Sequence, residues 1–477
     1  MTVASTALGD LQGAEEQGVT VFRGVPYAAT PVGPLRFMPP AQAAPWRGLR
    51  DATRHGPIAP QASSRLRAAM GGFERPQDED CLTLTIWTPR ADRARRPVLV
   101  WLHGGAWVTG AGSLDWYNGA RLAREGDIVV VGVNYRLGAL GYLLHPAVSK
   151  GNLGTRDQVA ALRWINAHVS SFGGDASRIT LAGQSAGATA IGLMLTMSDV
   201  RHLFHRAILQ SGGFGRPPKN AAQATSRAET FIRLLGLDPN AADIAGHLRA
   251  VPAQRLVEAQ AEYARTSAQF GSTDPPFGPV LQQGLTSTEL IDVIASSVGG
   301  TDVLIGATCE EGHAFFPPDL NVSESALTGP FGTDTIAFHR RRRPGATPRD
   351  LLADITTELV FRTPTLHLAR QIARRGSNVF AYQFNWAPAN SPFKACHCID
   401  LPFTFGNFDA WADAPMLKGG DPMVMQHLSA AIRRAWIAFV RSGNPQHDDM
   451  PAWPQHTQGW IMQFDTLVQR VQFRASP

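Results

Sequence analysis

Ser185 is the first residue whose surroundings suggest chemistry. Gly183-Gln184-Ser185-Ala186-Gly187 follows the apolar run Arg178 to Ala182 and opens another from Ala186 to Leu195. A strand, a tight turn and a helix in that order would lift the serine hydroxyl clear of the backbone, as a nucleophile requires. The flanking glycines let strand and helix approach closely. Outside that setting, the same residues are only a small-residue turn. A serine hydroxyl is a weak nucleophile near neutral pH, so it needs a base, and the base needs an orienting acid. After such an elbow, acid and base follow in that chain order. Gly306-Ala307-Thr308-Cys309-Glu310-Glu311-Gly312 carries carboxylates just beyond an apolar run, and Ala395-Cys396-His397-Cys398-Ile399-Asp400 carries a histidine. Spacing selects neither glutamate over the other, nor His397 among 14 histidines.

A third motif complements these. Leu102-His103-Gly104-Gly105-Ala106-Trp107 leaves another apolar run. A Gly-Gly-Ala run can point backbone N–H groups into a cleft at little steric cost. Together with the N–H of Ala186, such donors would hold the oxyanion of an acyl-transfer intermediate. The alternative is a plain glycine turn.

The elements that must position these groups are also visible. Pro97 to Leu102, Asp127 to Val133, Arg178 to Ala182, Arg206 to Leu209, Asp302 to Ile305 and Asn378 to Tyr382 are short apolar runs. They are continuous rather than alternating, which predicts strands covered on both faces of a parallel sheet. Gln158 to His168 and Leu428 to Val440 have helical spacing. Strands alternating with helices predict a doubly wound α/β fold, with functional loops at the strands' carboxyl ends.

Composition narrows the function classes. The 477 residues are 44% hydrophobic and 17% charged, with a formal net charge of +5. That describes a globular protein, not a disordered or fibrous one. The dense basic run Arg340 to Arg343, ended by Pro344, lacks interleaved aromatics and reads as a solvated loop or helix end, so no nucleic-acid partner is expected. The start has no signal-peptide pattern, and no apolar stretch is long enough to span a bilayer. With four cysteines, these features predict a cytoplasmic protein with free thiols and no membrane partner. Nothing indicates an oligomeric state.

Taken together, these residues resemble the type-B carboxylesterase family of α/β-hydrolases, which includes bacterial p-nitrobenzyl esterases. The likeness extends along nearly the whole chain. It begins at Phe22-Arg23-Gly24-Val25-Pro26-Tyr27 and Pro34-Leu35-Arg36-Phe37, and continues through Glu79-Asp80-Cys81-Leu82 and Asn134-Tyr135-Arg136-Leu137-Gly138. Gly151-Asn152 with Asp157-Gln158, Phe172-Gly173-Gly174-Asp175, and Gly443-Asn444-Pro445 follow. The resemblance implies one domain over 1–477, with a mostly parallel central sheet, helices on both faces, and long loop and helical insertions over the site. It implies Glu311 as the acid, His397 as the base, and Gly105, Ala106 and Ala186 as oxyanion donors. It also implies ester hydrolysis through an acyl-enzyme, without metal or cofactor.

Three departures stand out. Gln184 occupies a position that is usually Glu, which makes a preference for choline esters unlike this chain. Cys81 has no upstream partner in 55–75, and Cys398 replaces a usual Gly. Cys396 and Cys398 flank His397, and Cys309 precedes the acid loop. Zinc spacings are absent, so small apolar fillers are expected, with thiol-sensitive activity as the alternative. The substrate pocket is expected from loops 60–75, 262–282 and 313–345, with Gln184, Trp107, Phe270, Phe315, Phe316 and Phe393 as candidate lining. Aromatic or short- to medium-chain esters are the expected substrates, with aryl amides, carbamates or lactones as the alternative. A non-catalytic interaction module is the remote reading.

Overall fold

The computed structural model describes residues 2–473. Its frame is a 13-stranded sheet. Seven neighbouring strands run parallel, in the order Val129–Val133, Arg96–Leu102, Gly174–Gln184, Arg206–Gln210, Asp302–Thr308, Val379–Phe384 and Trp460–Phe464. Antiparallel strands extend both ends of this block, through Thr83–Thr88 and Val19–Pro26 on one side and Gln469–Gln472 on the other.

The apolar runs become strands because both faces are covered. Val98, Val100 and Leu102 point into one core with Val129, Val131, Leu181, Leu209 and Ile305. Leu99 and Trp101 point into a second core with Val130, Ile208 and Leu304. Helices Leu153–His168, Ala186–Leu195 and Thr363–Arg374 cover the first face, and Pro422–Ser442 covers the second. Each fully buried Val, Leu or Ile contributes about 1.5–3 kcal/mol, so both faces are strongly specified.

All six expected strands form, with shifted bounds. The strand before the serine starts at Gly174, four residues earlier than its apolar run: Asp175, Ser177 and Arg178 are polar and break the run, while Ala176 packs against the core. The expected Asp127 start moves to Val129, because Asp127 closes the Ala120–Gly126 helix in a left-handed conformation (φ 47°). The helix expected from Gln158 starts at Leu153.

The chain leaves Arg96–Leu102 for one side of the sheet and Gly174–Gln184 for the other. Their carboxyl ends therefore meet at the switch point where α/β sheets place ligands. Two satellite cores sit apart from the sheet. One gathers Phe231, Ile244, Leu248 and Leu256 from three helices between Ala221 and Thr266. The other gathers Leu327, Ile336, Leu351 and Leu352. The arginine run ends the Thr333–Arg342 helix, where Arg340 pairs with Glu324 at 2.8 Å and Arg343 with Asp354 at 3.0 Å. Cations suit the negative end of a helix dipole. Among the described residues no helix is long and apolar enough to cross a membrane.

The motifs that carry the resemblance meet as structural contacts. Arg136 and Asp157 form a buried pair, with Nη2 to Oδ1 at 2.6 Å and Nε to Oδ2 at 2.7 Å. Arg36 donates to both carboxylate oxygens of Glu79 and, through Nη1, to the carbonyl of Val251 at 2.6 Å. Asn134 takes the N–H of Ser113 and hydrogen-bonds its hydroxyl. These links tie loops distant in sequence to the sheet that carries the site.

Candidate active site

Ser185 stands between strand and helix with φ 56° and ψ −119°. An L-residue is strained there, and the cost is of order 1–3 kcal/mol. Packing enforces it: a Cβ at Gly187 would lie 2.0 Å from the Leu102 carbonyl, and one at Gly183 2.7 Å from Gly187 itself. The turn therefore needs glycine on both sides of the serine, as its motif predicts.

His397 Nε2 lies 2.8 Å from Ser185 Oγ. On the other side of the ring, His397 Nδ1 makes a short hydrogen bond to Glu311 Oε2. Glu311 is held in turn by the Thr308 N–H, which donates to Oε1 at 2.8 Å, and its carbonyl accepts the His397 N–H at 3.2 Å. Both side chains are buried, while Ser185 opens onto a cavity. Glu310 points elsewhere: it accepts the Ala395 N–H at 3.2 Å. The pair that the resemblance implies is the pair that meets. Gly312, after Glu311, is forced by the Ala353 carbonyl, which a Cβ would approach to 2.1 Å.

Gly105, Ala106 and Trp107 have φ of 108°, 54° and 59°. Positive φ is uncommon for Ala106 and Trp107, so the surrounding structure holds this turn in shape. Gly105 and Ala106 line the same cavity as Ser185 and His397. Ala186 opens the helix Ala186–Leu195, where first-turn N–H groups have no partner within the helix. His103 supports this loop. It is buried, stacks on Tyr135 at 4.3 Å and holds the Gly104 carbonyl through Nδ1 at 2.7 Å. Burial pushes its pKa down to about 4, so it stays neutral.

Both departures at the serine and histidine touch each other. Gln184 Nε2 is 3.1 Å from His397 Nε2 and donates to Cys398 Sγ at 3.3 Å. Cys398 takes φ 75°, a conformation that glycine adopts without strain. The carboxamide thus gives the imidazolium no counter-charge, and the thiol fills the space beside it. Cys396 and Cys398 belong to the second core, and burial pushes both thiols well above the usual range. Cys309 is also pushed up by burial, and all four cysteines are free. Among the described residues no three His, Cys, Asp or Glu side chains gather to hold a metal.

The expected pocket needs correction. Of the aromatic candidates, Phe315 lines the cavity of about 650 Å³, with its ring centroid 5.1 Å from that of His397. Trp107 lines an adjoining recess with Tyr142 and Phe277. Gln184 is buried beneath the histidine and does not line the cavity. Phe316 belongs to the satellite core with Leu327 and Leu351, Phe393 to the second main core, and Phe270 is 45% exposed at the surface. The apolar area of Phe316 and Phe393 is satisfied by neighbouring elements rather than by a ligand.

Phe361 also stands at the site, and its residue type does not announce it. Its ring lies 4.7 Å from that of His397 and stacks on Phe315 at 5.6 Å. It sits on a π-helical stretch, Thr357–Arg362, between two α-helical segments. Such widened turns frequently mark functional sites, but no residue type announces one. Arg65 is another residue that no motif marks: it lines the cavity, and its guanidinium lies 5.2 Å from the Phe315 ring centroid.

Known proteins match this arrangement over nearly its whole length. The model of the carboxylesterase family matches residues 1–473. Phenmedipham hydrolase of Pseudarthrobacter oxydans is 40% identical over 466 residues, covering 95% of this chain and 92% of that protein. Para-nitrobenzyl esterase of Bacillus subtilis is 35% identical over 471 residues, covering 95% and 93%. The solved structure of a thermophilic PNB esterase superposes with a TM-score of 0.86 at 31% identity, covering 98% of this chain and 97% of that one.

Proposed function

The chain belongs to the carboxylesterase family and is a carboxylic ester hydrolase with the α/β-hydrolase fold, and on that premise we propose that Ser185, His397 and Glu311 are its catalytic triad. The single observation that carries this assignment is the continuous chain Ser185 Oγ, His397 Nε2, His397 Nδ1, Glu311 Oε2, set on a strained turn beside the left-handed Gly105-Ala106 loop. His397 takes the proton of Ser185 as Oγ attacks the ester carbonyl. Glu311 fixes the ring orientation and stabilises its charged form. The N–H groups of Gly105, Ala106 and Ala186 hold the oxyanion. His397 then protonates the leaving alcohol, and water repeats the sequence to release the acid. Each oxyanion donor is worth about 10²–10³ in rate.

The whole of 1–477 works as one domain in this reading, since strands from both ends of the chain join one sheet. Four free cysteines support a cytoplasmic location. Short- to medium-chain or aromatic esters suit a cavity of about 650 Å³ lined by Phe315, which is an ordinary size for small-molecule sites. Aryl amides, carbamates and lactones pass through the same tetrahedral chemistry, and the likeness to phenmedipham hydrolase makes phenmedipham a fitting competitor substrate. A hydrolysis panel tests the choice: para-nitrophenyl esters of rising chain length, an aryl amide and phenmedipham. The expected result is the highest kcat/KM on an ester of short or medium chain. Faster cleavage of the amide or of phenmedipham than of every ester would overturn it.

A further inference from the structure

The cavity that holds Ser185 carries a strong imbalance of charge. Arg65, Lys219 and Arg227 line it, together with one carboxylate, Asp274. Asp274 is already shared. Lys219 Nζ reaches its Oδ2 at 2.7 Å, Arg216 Nε reaches Oδ1 at 2.8 Å, and Arg227 Nη2 stands 3.8 Å from Oδ2. Burial works against the Asp274 charge, yet these cations hold its carboxyl below the usual range. With Arg216, which lines the adjoining recess, four cations stand near this one anion, an excess of three positive charges. Among the described lining residues no second carboxylate offsets them.

Arg65 is the least compensated of the four. Its Nη2 donates to the Thr273 carbonyl, a neutral partner. Burial and the nearby Arg216 push its pKa down to about 10, so it remains cationic at neutral pH. Its guanidinium lies over the Phe315 ring at 5.2 Å, and that ring is 5.1 Å from His397. An unbroken line of contact thus runs from an under-compensated cation to the reacting centre. Holding like charges together in a partly desolvated site is costly unless an anion completes the cluster. An ester with neutral ends uses none of this potential. Guanidinium groups are well shaped to take a carboxylate in a bidentate fashion.

We propose that the cavity takes esters bearing a second, anionic group, a carboxylate on the acyl chain or on the leaving alcohol, and that Arg65, Lys219 and Arg227 bind it. This substrate class rests on the assignment of Ser185 as the nucleophile in the same cavity.

Two matched pairs test it. On the acyl side, para-nitrophenyl hydrogen adipate is compared with para-nitrophenyl hexanoate. On the alcohol side, meta-(butyryloxy)benzoate is compared with its methyl ester. In at least one pair the carboxylate-bearing member should have a kcat/KM about 10-fold higher at low ionic strength, and about 0.5 M NaCl should remove most of that advantage. The ratio within that pair should fall several-fold in Arg65→Gln and in Arg227→Gln, whatever either change does to the overall rate. Free adipate should inhibit the wild-type protein competitively against the hexanoate ester, a readout that needs no variant to fold. Equal or better turnover of the neutral member in both pairs would overturn the proposal, as would a preference unmoved by salt and by both substitutions. Hydrolysis of these esters at an undiminished rate by Ser185→Ala would instead overturn the nucleophile assignment, and the two failures are thereby told apart.

Discussion

The cavity has two kinds of wall. One carries Ser185, Gly105, Ala106 and His397 at strand ends or on loops packed against the sheet, held by buried pairs such as Arg136–Asp157. The other comes from residues 260–276, the end of a surface helix and the loop after it, where Gln269 and Phe270 are exposed. It is tied to the rest by Tyr263 against Phe277, by Gln260 on the Ala139 N–H, and by Asp274 and the cations around it. The difference teaches a division of labour. Bond-making groups sit where packing over-determines their position, and groups that choose a substrate sit where the chain can vary without disturbing the sheet.

The largest effect is expected at the reaction wall. Glu311→Gln keeps the shape but lets the amide meet His397 in the wrong tautomer, and kcat should fall by about 10⁴-fold with the fold intact by circular dichroism. A loss of less than 10-fold, about 1.4 kcal/mol, would remove Glu311 from the triad. Next comes the scaffold behind that wall. Asp157→Ala leaves the Arg136 guanidinium buried without its partner, so unfolding free energy should fall by about 3–5 kcal/mol in a denaturant titration. A far smaller loss would mean that the landmark pair is dispensable and the two walls are not so different.

The smallest effect sharpens the picture. Asp400 is buried three residues after His397, held by Gln210 Nε2 at 2.9 Å with its Oδ1 unpartnered. Burial pushes its pKa up to about 6. A carboxyl raised above its unfolded value of 3.8 favours folding most below that value, and the benefit is lost as pH rises through about 6. Asp400→Asn should therefore stabilise the protein at pH 8, by about 1–3 kcal/mol, and give no gain at pH 4. Thermal unfolding at the two pH values reads this directly. Equal shifts at both would show that titration of Asp400 is not the cause.

The two walls also differ in how far the sequence reveals them. Ser185, the Gly104-Gly105-Ala106 loop and six strands are legible because a strand buried on both faces is a continuous apolar run that must end in a tight loop. The choice of Glu311 over Glu310 is not legible from spacing. It depends on which carboxylate the Glu311–Ala314 turn aims at His397, and only the family resemblance points to it. Phe361 escapes because a widened helical turn, not its residue type, brings it to the histidine. Arg65, Arg216, Lys219, Arg227 and Asp274 spread over more than 200 positions and converge only in three dimensions. Phe316 and Phe393 show the opposite error. An aromatic on a loop is as readily a plug for a satellite core as a lining for a pocket.

The most direct test of the account is to trap the acyl-enzyme. The protein is mixed with a para-nitrophenyl ester, quenched in acid within the first turnovers, digested, and read by mass spectrometry. The expected result is a burst of para-nitrophenol and an added acyl group on the peptide carrying Ser185, with neither in Ser185→Ala. An acyl group on another residue, or full turnover by Ser185→Ala, would contradict it.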